Sequence, residues 1–257
     1  MIRIIFIIYD HSQKCDKMDM KEWKIFYDKI MDDFKFNKDM DVESAIILDK
    51  ILEYGDNKAD INKINEIIHG NDVIIFGAGP SIKKHIDLIK KEKLLDYPII
   101  VADGACKAFL DEGIIPDIIV SDLDGHLDAL LECNKKGSIV VVHAHGDNIK
   151  KIIAITPKLK NVVGSCQIPQ YKEMGLKNVI NFGGFTDGDR CCFLAHYFNA
   201  KKLILGGMDF GRYITNYSRP EIEEEVAEGD EIKIKKLEYA KQLINYLSKK
   251  IEIEYLK

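Results

Sequence analysis

No two cysteines are spaced C-x-x-C, no apolar run approaches a membrane span, and positive charge is not in excess. Each shortage excludes something. The six cysteines (Cys15, Cys106, Cys133, Cys166, Cys191 and Cys192) include a vicinal pair but no metal or redox spacing, so reduced thiols filling core space are expected. The opening "MIRIIFIIYDH" falls short of the ~20 residues a bilayer needs and has no small-residue cleavage site, so a strand and a cytoplasmic protein without a signal peptide are expected. Lys and Arg total 37 against 42 Asp and Glu, a net charge of −5, which gives no field to hold nucleic acid. Glutamine is scarce, with four residues, beside abundant Ile, Lys and Glu, a bias shared with hyperthermophile proteins. There is no internal repeat and no low-complexity tract.

What is present is patterning. After the first strand, "MKEWKIFYDKIMDDF" and "DVESAIILDKILEYG" have helical periodicity, and Gly55 stops the second. From Asp72 short β-branched runs alternate with helical stretches such as "PSIKKHIDLIKKE" and "HLDALLECNKK". The runs are "VIIF" (73–76), "IIVA" (99–102), "IIV" (118–120), "IVVV" (139–142), "VV" (162–163), "VINF" (179–182) and "LILG" (203–206). Apolar runs without polar alternation fit strands covered on both faces, as in parallel sheets. The expected fold is α/β, a doubly wound, mostly parallel, Rossmann-like sheet over 71–212. A mainly helical N-terminal extension (1–70) precedes it, and a C-terminal helix (about 231–249) and strand "IEIEYL" lie within 213–257. The acidic "PEIEEEVAEGDE" (220–231) reads as a solvated, mobile linker.

Ligands of such sheets bind beyond the carboxyl ends of the strands. Six loops rich in Gly and polar residues fall there: "GAGPS" (77–81), "DGA" (103–105), "SDLDG" (121–125), "HAHGDN" (143–148), "GGFTDGDR" (183–190) and "GMDFG" (207–211). Together they describe one site. Gly77, Ala78, Gly79, Pro80 and Ser81 form a strand-to-helix turn whose free amides suit phosphate, and an anion there would offset Lys83 and Lys84 in the first helical turn. Asp122 and Asp124, two apart, point the same way. With Asp103 they are best explained by a hard divalent ion with oxygen ligands, Mg²⁺ shared with substrate phosphates. Arg190 opposes the dipole at the start of its helix unless it serves an anion, and its fork suits phosphate. Thr186, Asp187 or Asp189 has the chemistry to cap that helix. His143, His145, Asp147 and Asn148 offer hydrogen bonds to nucleotide or phosphate, whereas a zinc reading lacks a tight His/Cys cluster. His69, His85 and His196 fall in helical pattern as solvated or core residues, and His126 begins its helix.

"VADGACKAFLDEGIIPDIIVSDLDG" resembles the "DGG/A…PD-IIGD-DS" signature of thiamin pyrophosphokinases over about 25 residues, with Gly125 in place of the final Ser. "HAHGDN" replaces that family's "D-D-TD" element, and the tail is too short for its β-sandwich. The order of "GAGPS", "SDLDG", "HAHGDN", "GGFTDGDR" and "GGMDFG" is similar, over almost the full length, to the archaeal 6-hydroxymethyl-7,8-dihydropterin pyrophosphokinases. That resemblance implies that ATP and a pterin alcohol give AMP and the pterin diphosphate, in methanopterin or folate-type biosynthesis. It further implies Mg²⁺ on Asp122 and Asp124 with Asp103 assisting, and phosphates held by 77–81 and Arg190. Asp147, Asn148, Thr186, Asp187 and Asp209 become candidates to read the pterin or the nucleotide. Whether Lys233, Lys235 and Lys236, just beyond the acidic run, swing over ATP as a lid is left open by the sequence. The partners expected are these small molecules, with no nucleic acid and no membrane; a homo-oligomer is left open. Competing readings are a thiamin pyrophosphokinase, a non-catalytic nucleotide sensor, and a dinucleotide oxidoreductase with Asp103 on ribose.

Overall fold

The computed structural model of the chain describes residues 18–257; the strand expected over 1–11 and Cys15 lie outside the described residues. Helices α1 (Met20–Phe34), α2 (Lys38–Tyr54) and α3 (Ile61–Ile68) come first. Asp19, Asn37 and Asp60 cap them through side-chain oxygens that accept backbone N–H groups. Strands and helices then alternate: β1 (Asp72–Phe76), α4 (Ile82–Lys91), β2 (Ile99–Ala102), α5 (Asp103–Asp111), β3 (Ile118–Ser121) and α6 (Leu127–Lys135). Next come β4 (Ile139–Ala144), α7 (Ile149–Ile155), β5 (Val162–Cys166), β6 (Val179–Ile180), α8 (Asp187–Tyr197) and β7 (Lys202–Gly206). A hairpin of β8 (Tyr213–Thr215) and β9 (Val226–Glu228), helix α9 (Glu231–Leu247) and strand β10 (Glu252–Tyr255) complete the chain.

The main sheet runs β10-β7-β1-β2-β3-β4-β5-β6, with every neighbouring pair parallel. From β1 to β5 each crossover moves the same way, and right-handed crossovers then place α4, α5, α6 and α7 on one face. The return from β6 to β7 reverses direction and puts α8 on the other. Alternate strand residues supply the two cores. Ile74, Phe76, Val101, Ile119 and Val140 meet α2 and α4–α7, whereas Val73, Ile75, Ile100, Val120 and Val141 meet α1, α3, α8 and α9. Each such side chain contributes roughly 1.5–3 kcal/mol of burial. The opening helices therefore clamp both sides of the sheet. Trp23 of α1, fully buried, also donates its ring N–H to the Gln167 carbonyl at 2.7 Å.

Two expectations change. The "VINF" strand pairs only over Val179–Ile180, because Asn181 turns its amide to the Ile168 carbonyl (3.1 Å) and accepts the Gly183 N–H (2.9 Å). The acidic stretch 220–231 is not simply a linker: Val226–Glu228 pairs antiparallel with β8. Its charges find partners, Glu225 on Lys83 (2.6 Å), Glu228 on Arg212 (2.6 Å) and Asp230 on Arg219 (2.6 Å). The five described cysteines are free and buried, as core-filling thiols should be. No described helix is long and apolar enough to cross a membrane.

Candidate active site

Because the sheet is parallel, the ends of β1, β2, β3 and β7 open on one edge, where a cavity of about 550 Å³ lies. Gly77, Ala78, Gly79, Asp103, Asp122, Asp124, Thr186, Asp187, Arg190 and Asp209 all line it. Pro80, Ser81, Asp147 and Asn148 do not.

At its floor, carboxylate oxygens of Asp103, Asp122 and Asp124 lie within 4.8 Å of one another. Asp103 heads α5 and is buried; one oxygen accepts the Gly125 N–H at 2.9 Å and the other has no partner. Burial first, and then the Asp122 charge, push its carboxyl up to about 6. Burial and Asp122 likewise raise Asp124, at the cluster's open edge, to about 7. Asp122 itself stays well below the usual carboxylate range: burial opposes ionisation, but the hydrogen bond and charge of His145 outweigh it. Crowded anions with an orphaned buried oxygen fit a divalent cation with oxygen ligands. Gly125 has a steric reason as well, since a Cβ there would lie 2.9 Å from Asp103 Cγ.

His145 Nε2 meets Asp122 at 3.2 Å and its Nδ1 meets Asp147 at 2.5 Å. Burial disfavours its charge, yet the hydrogen bonds and charges of the two carboxylates raise it to about 9. His143 is buried against Ser165 Oγ (3.0 Å), and among the described residues neither histidine belongs to a group of metal-ligating side chains. Asn148 is a correction. Its amide donates to the Asp122 and His143 carbonyls (2.8 and 2.7 Å) and accepts from His145 N–H and Ser44 Oγ (3.1 and 3.2 Å). With that bonding capacity spent, it fastens the β3 and β4 ends together and has nothing left for a ligand.

The "GAGPS" turn also differs from expectation. Gly77 N–H goes to the Gly206 carbonyl (3.0 Å), Gly79 N–H to Gly207 (2.8 Å) and Ser81 N–H to Asp209 Oδ2 (3.1 Å). Those amides are not a free cradle for phosphate; they tie β1 to β7 at the point where the strand order reverses. Gly79 is required there, because a Cβ would lie 2.7 Å from the Gly207 carbonyl oxygen. Lys83 is offset by Glu225, with no anion needed. Buried His85 accepts the Gly207 N–H at 3.1 Å on the same seam. Near Asp33, Lys235 donates to that residue's carbonyl (3.1 Å) on α1, away from the cavity that Lys233 and Lys236 line.

Thr186 and Asp189 cap α8 in a capping box. Arg190 is buried in the first turn, paired with Asp187 at 3.1 Å and near Gln167 Oε1 at 3.4 Å, and its Nε has no partner. Behind it opens a second cavity of about 280 Å³. Arg190, Asp122, Phe185 and Lys236 line both. The smaller one adds Phe36, Asn37, Asp41, Asp147 and Gln167. Asp41 is buried; it accepts from Tyr27 Oη (3.0 Å), Gln167 Nε2 (2.7 Å) and Gly146 N–H (2.8 Å).

Residues 49–215 match the model of the family described as 6-hydroxymethylpterin diphosphokinase MptE-like. The chain belongs to that family. Relatives named 6-hydroxymethyl-7,8-dihydropterin pyrophosphokinase include a Methanocaldococcus jannaschii protein, 73% identical over 242 residues, 93% of this chain and 100% of its own length. One from Methanothermobacter thermautotrophicus is 44% identical over 237 residues (90% and 96%). One from Pyrococcus furiosus is 39% identical over 230 residues (90% and 94%). In this MptE-like chain the matched span holds the three aspartates and Arg190, but not Phe36, Asn37, Asp41, Lys233 or Lys236.

The smaller cavity also holds residues that the sequence did not single out: Phe36 and Asp41 outside the matched span and Gln167 inside it. Asp41 had a signal: it lies on the stripe of Ala45, Leu48 and Leu52, where an acid is out of place unless it is bonded. Phe36 and Gln167 had none.

Proposed function

We propose that the chain transfers a diphosphate from ATP to the hydroxymethyl group of 6-hydroxymethyl-7,8-dihydropterin, giving AMP and the pterin diphosphate, in methanopterin or folate-type biosynthesis in the cytoplasm. The supporting observation is the cluster of Asp103, Asp122 and Asp124 at the floor of a cavity of about 550 Å³. The names of relatives up to 73% identical accord with it.

Asp103, Asp122 and Asp124 would hold Mg²⁺. Bound there, the cation supplies positive charge to neighbouring phosphate oxygens. The pterin hydroxyl oxygen bonds to the β-phosphorus, the bond from that phosphorus to the α,β-bridging oxygen breaks, AMP leaves with that oxygen, and the hydroxyl proton passes to solvent. Charge grows on the phosphoryl oxygens, so positioning and neutralisation dominate. Arg190, with a buried Nε to spare, is suited to those oxygens, and Lys233 and Lys236 line the same cavity from α9. The His145 imidazolium keeps Asp122 ionised and in place. In this division, 71–212 carries the chemistry and 213–257 closes its outer side.

Purified protein given MgATP and the pterin alcohol should release AMP, and Asp122→Asn or Asp124→Asn should lower turnover at least ~10²-fold while retaining the native circular dichroism spectrum. ADP as product, or unimpaired variants, would refute the assignment.

A further inference from the structure

The smaller cavity is bounded by the turn between α1 and α2, by the loop from β4 to α7, and by Phe185. At about 280 Å³ it is at the low end of the ~300–1,000 Å³ usual for small-molecule sites, with room for one flat bicyclic ring but not for a nucleoside triphosphate. Its chemistry is mixed. Phe36 and Phe185, with ring centroids 6.5 Å apart, form an apolar wall, and Asn37, Asp41, Asp147 and Gln167 supply donors and acceptors. A triphosphate has no use for phenyl walls. A heteroaromatic ring with a donor-rich edge uses both features.

Arg190 and Asp122 line both cavities. The guanidinium is buried at that junction with an unpartnered Nε, a costly state for a charged group without a ligand. A ring seated in the smaller cavity with its hydroxymethyl arm toward Arg190 would meet a phosphate tail arriving through the larger one. We propose that this smaller cavity is the acceptor subsite, which gives the residues before β1 a part in substrate binding, with the 35–41 segment holding the pterin ring. The proposal rests on the diphosphotransfer reading above and adds where the acceptor lies and which segment selects it. The segment lies outside the matched family span, 49–215.

Phe36 is partly exposed, at 38%, so removing its ring changes the wall more than the core. Phe36→Ala should raise KM for the pterin alcohol about tenfold and leave KM for ATP unchanged; Phe36→Trp, which keeps an aromatic wall, should restore it. Met40 also lines this cavity, and Met40→Trp, which puts a bulkier side chain into it, should abolish saturable quenching of pterin fluorescence while a non-hydrolysable ATP analogue with Mg²⁺ still binds. Unchanged pterin KM and binding in both variants, or a rise in KM for ATP in place of pterin, would overturn the assignment. The two readings separate cleanly. Wild-type turnover indifferent to Phe36 and Met40 sinks the subsite and spares the reaction. Pterin binding that depends on both residues, in a protein releasing no AMP, spares the subsite and sinks the reaction.

Discussion

Gly125 offers the most direct access to the acidic cluster. In Gly125→Ala the new methyl would lie 2.9 Å from Asp103 Cγ and Oδ1 and 3.0 Å from Oδ2, against the ~3.5–4.0 Å of comfortable contact. Asp103 is 3% exposed and one of its oxygens is tied to the Gly125 N–H, so it has little room to retreat. Overpacking of this kind costs ~1–3 kcal/mol. If the strain is spent in turning the Asp103 carboxylate away from Asp122 and Asp124, the apparent Mg²⁺ affinity falls ~5- to 150-fold. If it is spread through the fold, the melting temperature drops by ~2–4 °C per kcal/mol. Gly211 is the control, since a Cβ there meets nothing within 4 Å. AMP release titrated with MgCl₂, beside thermal melts, reads both quantities. Gly125→Ala with wild-type magnesium dependence and melting temperature would show that Asp103 is not pressed against residue 125, and with it the described cluster would fail.

The same cluster sets a pH dependence. Asp103 (about 6) and Asp124 (about 7) bind protons more tightly folded than unfolded, so their stability contribution falls as pH rises from ~4 through those values. The contribution of His145 is fully present below its unfolded value of 6.5 and is lost as pH climbs through about 9. Cation-free protein should therefore melt progressively lower from pH 5 to pH 9, and MgCl₂ should restore more at pH 8 than at pH 5, where protons compete for the ligands; equal increments at both, by scanning fluorimetry, would contradict this. Asn148→Ala deletes four side-chain hydrogen bonds. It should cost ~2–4 kcal/mol, hence ~4–16 °C in melting temperature, and a shift under ~2 °C would contradict its role as the tie between β3 and β4.

The sheet was legible because parallel strands buried on both faces leave continuous β-branched runs, and "IIVA" and "IVVV" admit little else. Placing six loops on one edge followed from parallelism. Asp103, Asp122 and Asp124 were legible for that reason: each closely follows such a run. What the pattern could not carry was the partner of each group. "GAGPS" looks open until Asp209, distant in sequence, takes up the Ser81 amide, and Asn148 looks like a ligand until four neighbours exhaust it. The acidic stretch hid β9 because composition shows charge density and conceals the lysines and arginines that answer it. The smaller cavity was out of reach, since α1, α2 and the β4 loop meet only in three dimensions.

The clamp of opening helices on both faces has a temporal consequence. Trp23 reaches across 144 residues to Gln167, Asp33 across 206 to Tyr239 and Glu22 across 224 to Tyr246. At a ribosomal pace of ~5–20 residues per second, the first helix is made ~10–45 s before its last neighbour emerges. For that interval its apolar side lies open to chaperones and to other nascent chains, and the enzyme is vulnerable chiefly at birth.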